Sequence, residues 1–450
     1  MKMKRIKNML RYFMCAILLS VTTVHADTDK PELWNQAIAL QQKYPLIDGH
    51  NDFPFAARMQ GLVSEDRAFL PDELPKLHTD IKRLREARLG GQFWVVFVPA
   101  DEAHPAHMAL EQLDLIHRMI DNSEWLELAT TPDQIRAIHR RGHIASLIGM
   151  EGGHILEQSL ALLRQYHALG VRYLTLTHNS TTNWADSATD NPRHDGLNDF
   201  GADVIKEMNR LGMLVDLSHT SDKTVKDALR ISIAPVIFSN SSARAIADHP
   251  RNVPDNLLRR LAENGGVIMV NYYSVLLVPE ASAMQNQITH KKNELLETQD
   301  IDRPAGWDAC KAWMFNHVPR GSIDDILIHI DHIVSVAGID HVGLGSDFDG
   351  VTLLPSGLDD VSHYPALIAA LLGHGYKEDE VAKIMGGNIL RVMGETEQIA
   401  AQMQGDIAED PADTHNSEQL APGAPPVLDS IATSENQQTR PWIKPLQQAR

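Results

Sequence analysis

The residues most able to do chemistry in this chain recur at the downstream ends of short apolar runs. His50 and Asp52 close the run Leu46-Ile47-Asp48-Gly49, one residue apart. In an extended strand, positions i and i+2 share a face. An imidazole nitrogen and a carboxylate oxygen placed so can aim at one point and form half of a metal site. Glu151 follows Leu147-Ile148-Gly149-Met150, with Gly152 and Gly153 behind it, and glycines let a backbone and a ligand approach closely. His178 follows Leu174-Thr175-Leu176-Thr177, His219 follows Leu214-Val215-Asp216-Leu217-Ser218, and Asp347 and Asp349 follow Gly343-Leu344-Gly345-Ser346. Taken singly, each is more readily a satisfied loop residue than a ligand, and with 22 histidines in the chain several must be structural. Their shared place at the ends of successive runs is what a purely structural role leaves unexplained. Two histidines, a glutamate and an aspartate suit zinc or a similar borderline ion. A carboxylate able to bridge would admit two ions, with a shared water made nucleophilic near neutral pH. The chemistry indicated is hydrolysis.

Elements that could hold these residues follow from the apolar pattern. Strands are predicted near 45–50, 92–98, 145–150, 172–177, 213–218, 235–239, 266–271 and 341–346, after a leading helix over 31–44. Between them lie helical patterns. Ser322 precedes Ile323, Ile326, Leu327, Ile330, Ile333 and Val334, with Asp325 at the third helical position and Gly338 beyond the end. That is a capping-box variant on an amphipathic helix with a glycine stop. Eight runs alternating with helices imply parallel βα units, most simply an α/β fold closed into a (β/α)8 TIM barrel. Such a barrel gathers all its strand C-termini on one face, where the polar residues above would meet. The stretch 272–340 is long for one βα unit and is expected to hold inserted helices as well; 376–394 reads as further helix.

The rest of the chain sets bounds. With 43% hydrophobic and 22% charged residues it is globular, and a net charge of −18 argues against nucleic acid or an anionic membrane surface as partner. The first 26 residues carry a basic start, a short apolar run over Phe13–Val24 and small residues at Val24-His25-Ala26. They read as a secretory signal peptide, so a periplasmic or secreted protein without a stable membrane anchor is expected. Removing them leaves Cys310 as the sole cysteine, which excludes an intrachain disulfide. The domain organisation expected is therefore signal 1–26, barrel 27–400 and a disordered polar tail over 401–450.

Seven motifs in order carry a resemblance. Asp48-Gly49-His50-Asn51-Asp52, Gly149-Met150-Glu151-Gly152, Leu176-Thr177-His178, Asp216-Leu217-Ser218-His219, Ser241-Ser242-Ala243, Arg251-Asn252-Val253-Pro254-Asp255 and Gly345-Ser346-Asp347-Phe348-Asp349-Gly350 resemble the membrane (renal) dipeptidase family of zinc peptidases, from about 45 to 395. The resemblance implies an amidohydrolase-type (β/α)8 barrel holding two zinc ions. His50 and Asp52 would bind one ion, His219 the other, and Glu151 would bridge both. His178 would polarise the scissile carbonyl. Asp347 would hold the substrate's amine or pass a proton to the leaving nitrogen. Arg251 would grip the substrate's C-terminal carboxylate. The expected substrates are small peptides, namely dipeptides, including those with a C-terminal D-residue. A homodimer is one arrangement the resemblance implies.

The chain departs from the family at one ligand. Where the family has a second histidine for the second ion, this sequence has Asn240, in Ser239-Asn240-Ser241-Ser242. An amide oxygen is a weaker zinc ligand than imidazole, so the second site is expected to be loose, absent or filled out by water. Readings left open are a two-metal enzyme of weakened affinity, a single-metal enzyme, a site for another metal or a shifted substrate such as a lactone or β-lactam-like ring, and a non-catalytic binder of small peptides. His249 could replace the lost ligand only against the constraint of Pro250 and Arg251. Intact Arg251 and Asp347 favour an active enzyme.

Overall fold

The computed structural model describes residues 31–62, 73–298 and 303–409. The chain divides into one compact unit ending at Gly405 and another beginning at Asp406, of which only residues 406–409 are described. The predicted signal segment and most of the predicted tail lie outside the described residues. Nine strands form one parallel sheet: β1 (Ile47–Asn51), β2 (Gly91–Phe97), β3 (Leu126–Leu128), β4 (Ile144–Glu151), β5 (Val171–Thr175), β6 (Leu214–Asp216), β7 (Ile237–Phe238), β8 (Val267–Val270) and β9 (Val342–Leu344). The order is β2-β1-β9-β8-β7-β6-β5-β4, and a β2–β4 pairing, Gly91 against Ala145 through Phe97 against Glu151, closes the ring. Eight strands therefore make a closed parallel barrel surrounded by helices.

All eight predicted strands are present within a few residues. The ninth, β3, has no counterpart among the expected strands. It pairs only with β4, outside the ring, and its three residues Leu126-Glu127-Leu128 offer too short an alternation to register as a strand. The barrel strands are buried along nearly their whole length, as expected for parallel strands covered by helices, and they read as continuous apolar runs rather than alternations. The helix Ile323–Ala337 begins with the predicted capping box, Ser322 and Asp325 bonding reciprocally to each other's backbone. Four further helices fill the long stretch ahead of it, between β8 and Ser322. The last described helix, Asn388–Glu409, runs past residue 400, where composition placed the start of the polar tail, and Gln404 Nε2 donates to the Arg210 carbonyl at 2.8 Å. No described helix is long and apolar enough to cross a membrane.

Two buried aspartates knit the top of the barrel. Asp48 on β1 accepts from the Ser346 amide (2.8 Å), the Ser346 hydroxyl (2.7 Å) and Gln92 Nε2 (3.0 Å), joining β1 to its neighbours β2 and β9. Asp216 on β6 accepts from the Ser239 amide (2.8 Å), the Ser239 hydroxyl (2.6 Å) and the Thr175 hydroxyl, joining β5, β6 and the end of β7. Burial pushes the Asp48 carboxyl above its ordinary range while these donors oppose the shift. Asp48→Ala would strand several buried donors, each costing about 1–3 kcal/mol. Urea unfolding of that variant should show at least the upper part of that loss, and an unchanged midpoint would show that water replaces the carboxylate.

Candidate metal centre and active site

The strand ends named from the sequence deliver His50, Asp52, Glu151, His178, His219 and Asp347 to one place, while Asp349 accepts from the His78 amide at 2.7 Å. His50 leaves β1 with its ring fully buried, and its Nε2 lies 3.4 Å from Asp52 Oδ2, 3.7 Å from Glu151 Oε1 and 3.9 Å from Asp347 Oδ1. Glu151 is the last residue of β4. Its Oε1 is 3.0 Å from His219 Nε2 and its Oε2 is 3.9 Å from His178 Nε2. His50, Asp52 and Glu151 form one group with ligand atoms close enough to share an ion, and Glu151, His178 and His219 form another. His219, Asp347 and Asp349 all adopt left-handed backbone, with φ between 65° and 66°. A histidine and two aspartates held there carry local strain that the surrounding structure must sustain.

Hydrogen bonding sets which nitrogen of His50 is available. Tyr173 gives its hydroxyl proton to the Gly49 carbonyl (3.1 Å), and Ser239 gives its own to Asp216 (2.6 Å). Both hydroxyl oxygens also lie against His50 Nδ1, at 3.1 and 3.2 Å. With their protons spent, they can only accept, so Nδ1 carries a hydrogen and Nε2 is the nitrogen that faces the carboxylate cluster, where a proton or a metal ion can bind it. His50 Nε2 and Glu151 Oε1 are both buried without a hydrogen-bond partner. This is the donor set a divalent cation needs, together with a hydrogen-bonded outer layer that orients the ligating ring.

Electrostatics agree with that fit. Burial pushes the Glu151 carboxyl up to about 8 and Asp52 up to about 6, and neighbouring carboxylates add to both shifts. Burial alone would lower the His50 imidazole, but the charges of Asp52 and Glu151 outweigh it and hold it up to about 10. The cluster therefore calls for positive charge among its carboxylates, from protons or from a metal ion. His178 and His219 lie well below the usual histidine range, first through burial and then through the nearby Arg251 guanidinium. Both shifts favour the neutral ring.

The glycines around Glu151 serve a different purpose from the one read in the sequence. Gly152 sits at φ 104°, and a side chain on Gly153 would strike the Trp184 ring and the Leu176 carbonyl. They admit protein packing rather than a ligand. Close approach to the site occurs at Gly350, where a side chain would collide with Asp52 Oδ2.

Asn240 and Arg251 meet each other. Arg251 Nη2 donates to the Asn240 side-chain oxygen at 3.0 Å and to its backbone carbonyl at 3.1 Å, while Arg251 Nε is buried without a partner. His249 does not replace the missing ligand, since its Nδ1 accepts the Arg251 amide and its Nε2 faces Gln285. Residues not singled out from the sequence also contribute. Asn271, just beyond β8, donates to Asp347 Oδ2 at 2.6 Å. Its place as a polar residue at a strand end was the available signal. Tyr173 and Ser239 had none, because nothing local marks a hydroxyl as facing a distant histidine. A cavity of about 490 Å³ lies over the cluster, reaching Asp52, Glu151, His178 and Asp347 at its floor and Trp307 and Lys311 at its wall. That is room for a small molecule.

Comparison with known proteins places this geometry. The profile described as membrane dipeptidase (Peptidase family M19) matches residues 34–406. The chain is 38% identical over 392 residues to Dipeptidase verJ of Clonostachys rogersoniana, covering 82% of this chain and 89% of that protein. It is 38% identical over 384 residues to mouse (Mus musculus) Dipeptidase 3, covering 83% and 69%. A metallopeptidase from Rhodobacter sphaeroides, solved with a phosphinate mimic of the dipeptide L-Ala-D-Ala, superposes with a TM-score of 0.65 at 25% identity, covering 78% of this chain and 99% of that one. The probable dipeptidase PvdM from Pseudomonas aeruginosa shares the fold, with a TM-score of 0.70 at 24% identity over 82% and 100% of the two chains. The match over residues 34–406 and the 38% identity to curated dipeptidases make this protein, with its cluster of three histidines and three carboxylates at the C-terminal mouth of a parallel barrel, a member of the membrane dipeptidase family of metallopeptidases.

Proposed function

We propose that this chain is a zinc-dependent dipeptidase that cleaves short peptides with a free C-terminal carboxylate, including those ending in a D-residue. The observation that carries the reading is the unpartnered His50 Nε2, aimed at three carboxylates on the floor of a cavity sized for a dipeptide. The D-residue is suggested by the L-Ala-D-Ala mimic bound to the Rhodobacter sphaeroides metallopeptidase. His50, Asp52 and Glu151 would hold the ion, with His219 on the far side of Glu151. A zinc ion so held supplies Lewis acidity and an activated water at neutral pH.

The chain's own groups do the rest. Glu151, between the His50 and His219 rings at the end of its strand, is placed to take the proton of the attacking water. Neutral His178 presents its ring at the cavity floor, where an N–H donor can stabilise the oxygen of the carbonyl under attack. Asp347, steadied by Asn271, accepts the substrate's amine and returns a proton to the leaving nitrogen. Arg251 keeps its Nε free of protein partners and can meet a carboxylate through it. Export to the periplasm or beyond is inferred from the N-terminal basic and apolar pattern alone.

Glu151→Gln should leave the fold intact and cut kcat/KM for dipeptides by about 10³-fold or more, combining lost base and lost ligand charge. Hydrolysis surviving at the wild-type rate, in protein shown to be folded, would sink the proposal. Arg251→Ala should raise KM by about 10–100-fold, the equivalent of one charged hydrogen-bond contact. An unchanged KM for dipeptides would instead favour a substrate without a carboxylate. Activity against matched L,L and L,D dipeptides should rise with added zinc, and failure to cleave any L,D member would remove the D-residue from the proposal.

A further inference from the structure

The bridging carboxylate faces two candidate loci, and they are unequal. Around His50 Nε2, three carboxylates lie within 3.9 Å. Around His178 and His219, Glu151 is the one carboxylate paired with either ring among the described residues. The residue that should complete this second locus is Asn240, and its side chain is already committed. It is 1% exposed, its backbone amide donates to Ser218 Oγ at 3.1 Å, and its carbonyl accepts from Asn271 Nδ2 and Arg251 Nη2.

The amide orientation follows from its partner. A guanidinium nitrogen can only donate, so the Asn240 atom 3.0 Å from Arg251 Nη2 must be the oxygen. The other end of the amide is then an NH2, which has no lone pair to offer a metal. A cation bound through the oxygen instead would lie about 2 Å from it, on an atom that already accepts from a fixed positive charge.

We propose that this chain is a single-metal centre, in which His50, Asp52 and Glu151 hold the ion while the Asn240–Arg251 clamp closes the second locus. The inference rests on the metallopeptidase reading above but not on the choice of substrate. It also assigns Arg251 a role beyond substrate contact, since the guanidinium supplies fixed positive charge on the side where relatives with a histidine could place a second ion.

Metal counting tests this without an activity assay. The purified chain, saturated with Zn2+ and freed of excess by gel filtration, should carry one zinc per chain by plasma mass spectrometry. Two per chain would overturn the proposal and point to Glu151, His178 and His219 as a working second site; none would overturn both the proposal and the metallopeptidase reading. Asn240→His, checked for folding by circular dichroism, should raise the count from one to two. A folded variant still holding one ion would show that Asn240 is not what closes the locus. Absent dipeptide cleavage with one bound ion would defeat the functional reading and leave this one standing.

Discussion

The imidazole of His50 is the constraint on which the site depends. It is buried, its Nδ1 hydrogen is directed to two hydroxyls that can only accept, and its Nε2 faces three carboxylates. Such an arrangement is costly unless positive charge enters it, since buried carboxylates resist ionising and repel one another. The fold sustains this because two of the acids are held from behind: Asp347 by Asn271, and Glu151 by its position as the terminal residue of a buried strand. Charge that a smaller or looser scaffold would neutralise by protonation is kept available for a cation.

The barrel supplies that rigidity through a repeated device. Asp48 and Asp216 each stand ahead of a site histidine and accept backbone and hydroxyl donors from a neighbouring strand or its end. Neither needs to touch a substrate. They fix the register of the strand ends, so that side chains from five different βα junctions converge with polar atoms 3.0 to 3.9 Å apart. The left-handed backbone at His219 and Asp347 is part of the same arrangement, since it turns the chain sharply just where the side chain must face inward.

Asn240 illustrates how one substitution is absorbed. Arg251 bonds it twice and leaves Nε without a protein partner. A position where the family resemblance calls for a histidine is here part of a hydrogen-bonded wall, with a guanidinium contributing charge. The chemistry possible on that side of Glu151 changes while the barrel and the His50 side are retained.

From the sequence alone, eight barrel strands, the capped helix at 323–337 and the site residues at strand ends were legible, because parallel buried strands write long apolar runs and their functional residues follow directly. The three-residue β3 was not, being too short to show a period, and the helix through Glu409 was obscured by polar composition. The purpose of Gly152 and Gly153 was misread, because a glycine pattern does not say whether protein or ligand comes close. Type and order of the candidate ligands are properties of the chain, so they can be read from the sequence. Tertiary structure decided the rest: the tautomer of His50, the pairing of Asn240 with Arg251 and the hold of Asn271 on Asp347. Each of these joins residues far apart in the chain or sets a hydrogen-bond direction, and neither distance nor direction leaves a local mark for a sequence pattern to carry.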